Sequence, residues 1–238
     1  MPSVERFRRL DQLFSQLGYG SRNDLKKFLR EGRVEVLGTE RPKASDRFDP
    51  NLVRVDGKAL DHPEGLLILL NKPVGYVCSH DVREGSLVYE LLPDQWHFRS
   101  PQIVSIGRLD KETSGLILLT DQSELVHQLT SPKNHVAKLY DVHFEGPLRA
   151  DAIEICAAGT LLLEGENKPC LPAELKILSP THAQIQIIEG RFHQVRRMFG
   201  MLGANVFLLK RVRFGSLDLA GVNDGEYRLL PLDTFASG

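Results

Sequence analysis

Long apolar runs are missing from this chain of 238 residues, and the runs it does have, such as Leu66–Leu70 (LLILL), are far too short to span a bilayer. The first ten residues, MPSVERFRRL, lack the apolar core of a secretion signal, so the sequence predicts a soluble, cytoplasmic protein. Cysteine is scarce: Cys78, Cys156 and Cys170 are odd in number and widely spaced, with no CxxC pair. That excludes a disulfide framework and a zinc knuckle and predicts reduced, partly buried thiols. The eight histidines form no HExxH and no acidic cluster has metal-loop spacing, so no metal site is predicted. Net charge is also nearly absent, at −1, which rules out a generally sticky polycation.

What is present is a core and an uneven charge. Hydrophobic residues make up 42% of the chain, enough for one large domain or for a small one beside a medium one. Residues 1–60 hold 13 Lys and Arg against 9 Asp and Glu, a balance of +4, which leaves −5 for the rest. A second basic zone, Arg191–Arg213, contains Arg191, Arg196, Arg197, Lys210, Arg211 and Arg213 with no acidic residue among them. Such zones serve as solvated faces or as local contacts to phosphate.

Periodicity divides the chain in two. Leu10, Leu13, Phe14 and Leu17 have helical spacing, Gly18 and Gly20 interrupt it, and Ser21 can cap a second helix, Asn23–Arg30. After Gly32, Val34 and Val36, then Leu52, Val53 and Val55, read as short strands ending in an Asp56-Gly57 turn. Residues 61–65 (DHPEG) read as a linker between a domain of residues 1–60 and one of residues 66–238. The second part is dominated by strands: Leu66–Leu70, Gly115–Thr120, Ala137–Phe144, Ala183–Ile188 and Val206–Val212. Helices are expected at Ser123–Thr130, with Asp121 or Ser123 as cap, and at Ala150–Ala158 and His193–Leu202. The fold class is therefore α+β, a small α/β unit followed by a sheet-dominated, mixed and mainly antiparallel domain.

The stretch SIGRLDKETSGLILLTD, Ser105–Asp121, sets Arg108, Asp110, Lys111 and Glu112 directly before a strand whose apolar run signals burial. An aspartate there is either a turn residue or a carboxylate held for chemistry. An aspartyl phosphatase would need further acidic residues for magnesium, and none accompanies Asp110.

Two resemblances bear on that choice. Arg9-Leu10-Asp11, Gly18–Arg22 and Gly32-Arg33-Val34 resemble the pattern of the S4 RNA-binding domain over roughly Arg9–Leu60. Asn71–Ser79 (NKPVGYVCS), GRLDKETSGLILLTD, Lys138–Val142 (KLYDV) and Glu189–Phe199 (EGRFHQVRRMF) resemble, in order, the motifs of the RsuA-type and RluA-type pseudouridine synthases. The S4-like unit, TSPKNH and ENKPCLPAEL make the chain most similar to the RsuA-type branch. That resemblance implies isomerisation of a uridine in 16S, small-subunit ribosomal RNA. The substrate would be the RNA or a ribosomal assembly particle, and the enzyme a monomer needing no metal or other cofactor. A large-subunit RNA target in the same family and a non-catalytic RNA-binding protein stay open.

Carried over by position, Asp110 is the nucleophile. It would attack the sugar, remove its 2′ proton or add to the base. Tyr140 is the aromatic that packs on a flipped-out uracil, or else a core tyrosine of the face Lys138, Tyr140, Val142, Phe144. Arg196 is the basic partner of Asp110. A helix beginning near Phe192 would place Arg196 about 80° from an apolar stripe of Phe192, Val195, Phe199 and Leu202, with Arg197 nearly opposite that stripe. Arg22, Lys26, Lys27, Arg30 and Arg33 form a basic flank for RNA, joined by Arg191 and Arg197, and Arg108 either binds RNA or clamps its own loop. Lys72, Pro73 and Gly75 would support the active-site loop, while Gly107 and Gly115 would serve tight backbone approaches.

Overall fold

A computed structural model of the chain describes residues 7–235. Residues 1–6 and 236–238, the outer ends of the two expected domains, lie outside the described residues.

The N-terminal segment begins with β1 (Arg8–Arg9), α1 (Leu10–Gln16), α2 (Arg22–Arg30), β2 (Val34–Val36), β3 (Arg47–Phe48), β4 (Val53–Val55) and β5 (Lys58–Ala59). Ser21 starts α2 through a capping box: its hydroxyl accepts from the Asp24 N–H while the Asp24 carboxylate accepts from the Ser21 N–H. Asp56 and Gly57 both have positive φ, 50° and 75°, which suits the two-residue hairpin between β4 and β5. Leu52 closes a short 3-10 turn instead of starting the strand. Leu10, Leu13, Phe14, Leu17, Leu25 and the valines of β2 and β4 make a core of their own.

From residue 66 the order is β6 (Leu67–Lys72), β7 (Val104–Ile106), β8 (Thr113–Thr120), α3 (Ser123–Thr130), β9 (Lys138–Glu145), α4 (Ala152–Ala158), β10 (Glu174–Ser179), β11 (His182–Ile187), α5 (Gln194–Met201), β12 (Asn205–Phe214), β13 (Leu217–Asp218) and β14 (Tyr227–Leu229). They form one mixed sheet in the order β10-β11-β9-β12-β8-β6-β14, with β13 on β12 and β7 on β8. Among the strand pairs of this sheet in the described residues, β12–β8 alone is parallel. β6 and β8 are buried throughout, which is why they read as continuous apolar runs. Ile68, Leu70, Ile117 and Leu119 face one core under α4 and α5, while Leu67, Leu69, Leu116 and Leu118 face the other under α3. Each such side chain contributes about 1.5–3 kcal/mol by burial, so this pair of strands is a firm support for the loop that precedes β8.

The expected strands and helices are present with shifted ends. The helices expected from Ala150 and His193 begin two and one residues later. Neither Asp121 nor Ser123 caps α3; Gln122 precedes it without a side-chain cap. The Asp121 carboxylate is engaged elsewhere, accepting from the Leu66 N–H at 2.8 Å and pairing with Arg99 at 3.0 Å. Arg99 also donates to the Asp61 and His62 carbonyls, so the stretch read as a linker is fastened to the end of β8. Among the described residues no helix is long and apolar enough to cross a membrane, and the three cysteines are buried and free.

Candidate active site

The connection from β7 to β8 carries Asp110, and it is held from three sides. Gly75 donates its N–H to the Lys111 carbonyl at 2.8 Å. Lys72, fully buried, donates from Nζ to the Pro73 carbonyl at 2.9 Å and reaches the Lys111 carbonyl at 3.5 Å. Burial pushes the Lys72 ammonium down from its ordinary pKa, against the raising pull of Cys78, Asp110 and Glu112. From α5, Arg196 donates to the Glu112 carbonyl at 3.0 Å and to the Val206 carbonyl in β12 at 2.8 Å. The first motif thus supports the Asp110 loop, as its position implied.

Beyond this loop lies a cleft of about 850 Å³. Asp110, Tyr140, Arg108, Lys138, Arg211 and His193 are among its lining residues. The Asp110 carboxylate is 31% exposed, and the His193 imidazole is beside it, with Nε2 at 3.4 Å. The side chains on the floor come from β9 and β12, which run antiparallel. Tyr140 lies opposite Arg211 and Lys138 lies opposite Phe214, so all four share one face of the sheet. Tyr140 and Lys138 do continue the plain strand face of Val142 and Phe144, but at the end where that face leaves the core and meets the cleft. Gly115 makes the floor possible: its φ is +106°, and a Cβ there would sit 2.2 Å from the Arg211 carbonyl oxygen. At Gly107 the reason is the φ of +72° alone, since a Cβ would meet nothing.

The pairing of Arg196 with Asp110 is not made; both its bonds go to backbone carbonyls, and it is absent from the cleft wall. The helix expected to begin near Phe192 begins at Gln194. Phe192 is 75% exposed and stacks on the His193 ring at 3.8 Å, so it is no part of the apolar stripe. His193 takes a left-handed φ of 47°, and the buried face of α5 is Val195, Met198 and Phe199. Arg197 does not point free into solvent either: it pairs with Glu166 at 3.1 Å and donates to the carbonyls of Glu164 and Phe192. Arg191, on the cleft wall, pairs with Glu189 and donates to the Lys168 and Pro169 carbonyls. Together the two arginines hold the loop before β10 against α5.

In the N-terminal flank, Arg33 forms a bidentate pair with Asp56 and covers the Phe28 ring, while Arg22 pairs with Asp11 at 3.1 Å. Lys26, Lys27 and Arg30 stand exposed on α2; Lys27 lies 4.0 Å from Glu31, and Arg30 donates from Nε to the Lys26 carbonyl one turn back at 3.4 Å. Arg108 is exposed at the lip of the cleft and makes no hydrogen bond or ion pair among the described residues, so it is no clamp on its own loop.

A family model described as RNA pseudouridylate synthase matches residues 66–200, the segment that carries Asp110, Tyr140 and His193 of this cleft. The chain belongs to that family. It is an isomerase of the pseudouridine synthase class. The chain is 38% identical over 234 residues to the ribosomal small subunit pseudouridine synthase A of Escherichia coli K12, covering 96% of this chain and 99% of the relative. Its counterpart in Pasteurella multocida is 35% identical over 232 residues, at 96% and 98% coverage. A crystal structure of a pseudouridylate synthase matches with a TM-score of 0.65 and 33% identity, over 94% of this chain and 96% of that one.

Reading by motif did not single out His193, Lys138 or Arg211 in this pseudouridine synthase. The signal for Lys138 was there, two residues before Tyr140 on the same strand face. Arg211 was hidden by two breaks in register on β12, between Val206 and Leu208 and between Arg211 and Arg213, which reset the in-out alternation. His193 needed the left-handed turn that ends its loop.

Proposed function

We propose that this chain converts one uridine of small-subunit ribosomal RNA to pseudouridine, with the reaction in the cleft between Asp110 and Tyr140. The full-length similarity to the small-subunit enzyme of Escherichia coli carries this reading. In the reaction the uracil leaves its ribose and is rejoined through carbon 5, so the base must come out of its stack and be held while it turns. Asp110 is the carboxylate that engages the nucleotide. It is half-buried, near His193, and fixed by the backbone contacts at Lys111 and Glu112. Tyr140, 8% exposed on the cleft floor, offers its ring as a platform for the base. Arg196 acts as a positioning residue, tying the far end of the Asp110 loop to β12. Residues 1–60 form a separate S4-like module that grips RNA flanking the target; its independent core and the exposed Lys26, Lys27 and Arg30 support that division.

The test is to map pseudouridine in ribosomal RNA from cells with and without the gene. Loss at one small-subunit uridine, restored by the returned gene, is the expected result. Loss from large-subunit RNA instead, or no loss, overturns the assignment.

A further inference from the structure

Two cations on the cleft floor have no counter-charge in contact. Lys138 Nζ and the Arg211 guanidinium lie 5.6 Å and 5.5 Å from the centroid of the same Phe214 ring: Lys138 is its partner across the β9–β12 pair, and Arg211 is on its own strand just before a break in register. Lys138 Nζ donates once, to the Val136 carbonyl at 2.9 Å, which leaves two of its protons unused. Arg211 is 2% exposed; its Nε donates to the Leu116 carbonyl at 2.7 Å, while its Nη2 is buried with no acceptor. A buried donor left unsatisfied costs about 1–3 kcal/mol, and such groups mark places that a ligand completes. The carboxylates on the cleft wall are otherwise placed. Asp110 faces His193, Glu189 pairs with Arg191 at 3.1 Å, and Glu112 is exposed.

We infer that Lys138 and Arg211 form a site for one phosphodiester of the substrate RNA, on the cleft floor beside Tyr140. This rests on the reading of the cleft as the place that receives the uridine. A phosphodiester carries one negative charge and two non-bridging oxygens, so it can accept from both side chains at once. A uracil carbonyl could accept from one donor but would leave two positive charges uncompensated in a partly desolvated floor. The present cost of that crowding is visible at Lys138, where burial first and Arg211 second push the ammonium down to about 8, with Glu189 pulling the other way. An anion between the two would reverse the effect of Arg211. The site would fix the backbone next to the flipped nucleotide and so set which nucleotide faces Asp110.

The experiment uses the full chain and small-subunit RNA fragments carrying the target uridine, each with a single methylphosphonate in place of one phosphate. The parent should lose affinity at one such position near the target. Lys138→Gln should be insensitive to that same substitution, with the slope of log Kd against log salt reduced by about one. Arg211→Gln should behave likewise if it folds; Lys138→Gln, partly exposed, serves in any case. A Lys138→Gln protein that keeps the parent's salt slope and its sensitivity at every position overturns the inference. So does a parent in which inorganic phosphate binds at Lys138 and no methylphosphonate position depends on that residue, the mark of a free-anion site. Asp110→Asn, assayed in parallel for turnover, tests the active-site reading separately, because affinity at the phosphate site does not depend on that carboxylate.

Discussion

Replacing Arg99 by Met removes a guanidinium that is 2% exposed from a carboxylate, Asp121, that is 5% exposed, across 3.0 Å. The methylene stem is largely preserved, so packing around Trp96 and the 61–65 segment changes little while the charge disappears. Asp121 then keeps the Leu66 N–H and the Gln122 amide as donors but loses the one cation that contacts it among the described residues. Breaking a buried pair from one side costs about 3–5 kcal/mol, because the remaining charge stays desolvated. The Asp61 and His62 carbonyls also lose a donor each, yet both residues are partly exposed, and water can replace it at small cost. The single variant should therefore lose about 3 kcal/mol or more in urea unfolding, a large part of the stability of an ordinary domain. The double variant Arg99→Met with Asp121→Asn should regain most of that loss, since it buries no unpaired charge. A double-mutant cycle read at constant m-value measures the coupling. A loss under 1 kcal/mol in the single variant, or a double variant no better than the single, would refute the view that this pair fastens residues 61–65 to β8.

Asp110→Asn should stay folded and bind RNA while single-turnover conversion falls by roughly three orders of magnitude or more; retained conversion would remove Asp110 from the chemistry. Arg196→Ala should lower the rate at saturating enzyme by about a hundredfold with little change in RNA affinity, through misplacement of the Asp110 loop. Arg197→Ala should instead cost about 1 kcal/mol of stability and spare the rate, and the reverse order would refute these roles. Gly115→Ala should destabilise the fold by about 2 kcal/mol or more, since its Cβ meets backbone 2.2 Å away at a φ of +106°; a neutral effect in thermal melts would mean β12 can shift. Deleting residues 1–60 should leave a folded catalytic domain whose RNA affinity has a shallower salt slope, by about two to three units for Lys26, Lys27 and Arg30, and equal affinity in both proteins would refute the anchoring role of the first domain.

The parts of the fold legible in the sequence are those set by short-range pattern. The capping box at Ser21 and Asp24 announces α2, the Asp56-Gly57 pair announces a hairpin, and the doubly buried runs announce β6 and β8. β10 was not visible because it lies at the sheet edge, with Leu175 buried but Ile177 and Leu178 about 40% exposed, so its residues do not alternate. At the site, Asp110 and Tyr140 could be read by motif because local sequence fixes where strands begin and which face a residue takes. The partners of the arginines could not. Arg197 and Arg191 bind Glu164–Pro169, 22 to 33 residues upstream, and Arg99 binds Asp121 and the 61–62 carbonyls. Only tertiary packing brings those acceptors within reach.

That difference decides which cations can meet RNA. A guanidinium already bound to two or three internal acceptors gains little from a phosphate, because every new bond displaces an existing one. Arg33, Arg191 and Arg197 are in that position, although motif and charge count make them look like RNA contacts. Lys26, Arg30 and Arg108 are not, and neither are the spare donors of Lys138 and Arg211. Of the cations named above, those without such commitments lie in three places: α2 in the N-terminal segment, the lip of the cleft, and its floor. Contacts on α2 and at the lip are exposed and screened by salt, so they give affinity and approach more than register. The pair on the floor is desolvated and fixed by β9 and β12, so it can hold a strand in register with Asp110. With a phosphodiester held by Lys138 and Arg211 as inferred above, selection of the target nucleotide would belong to the sheet that carries Tyr140, and capture of the RNA to the surface that carries Lys26 and Arg30.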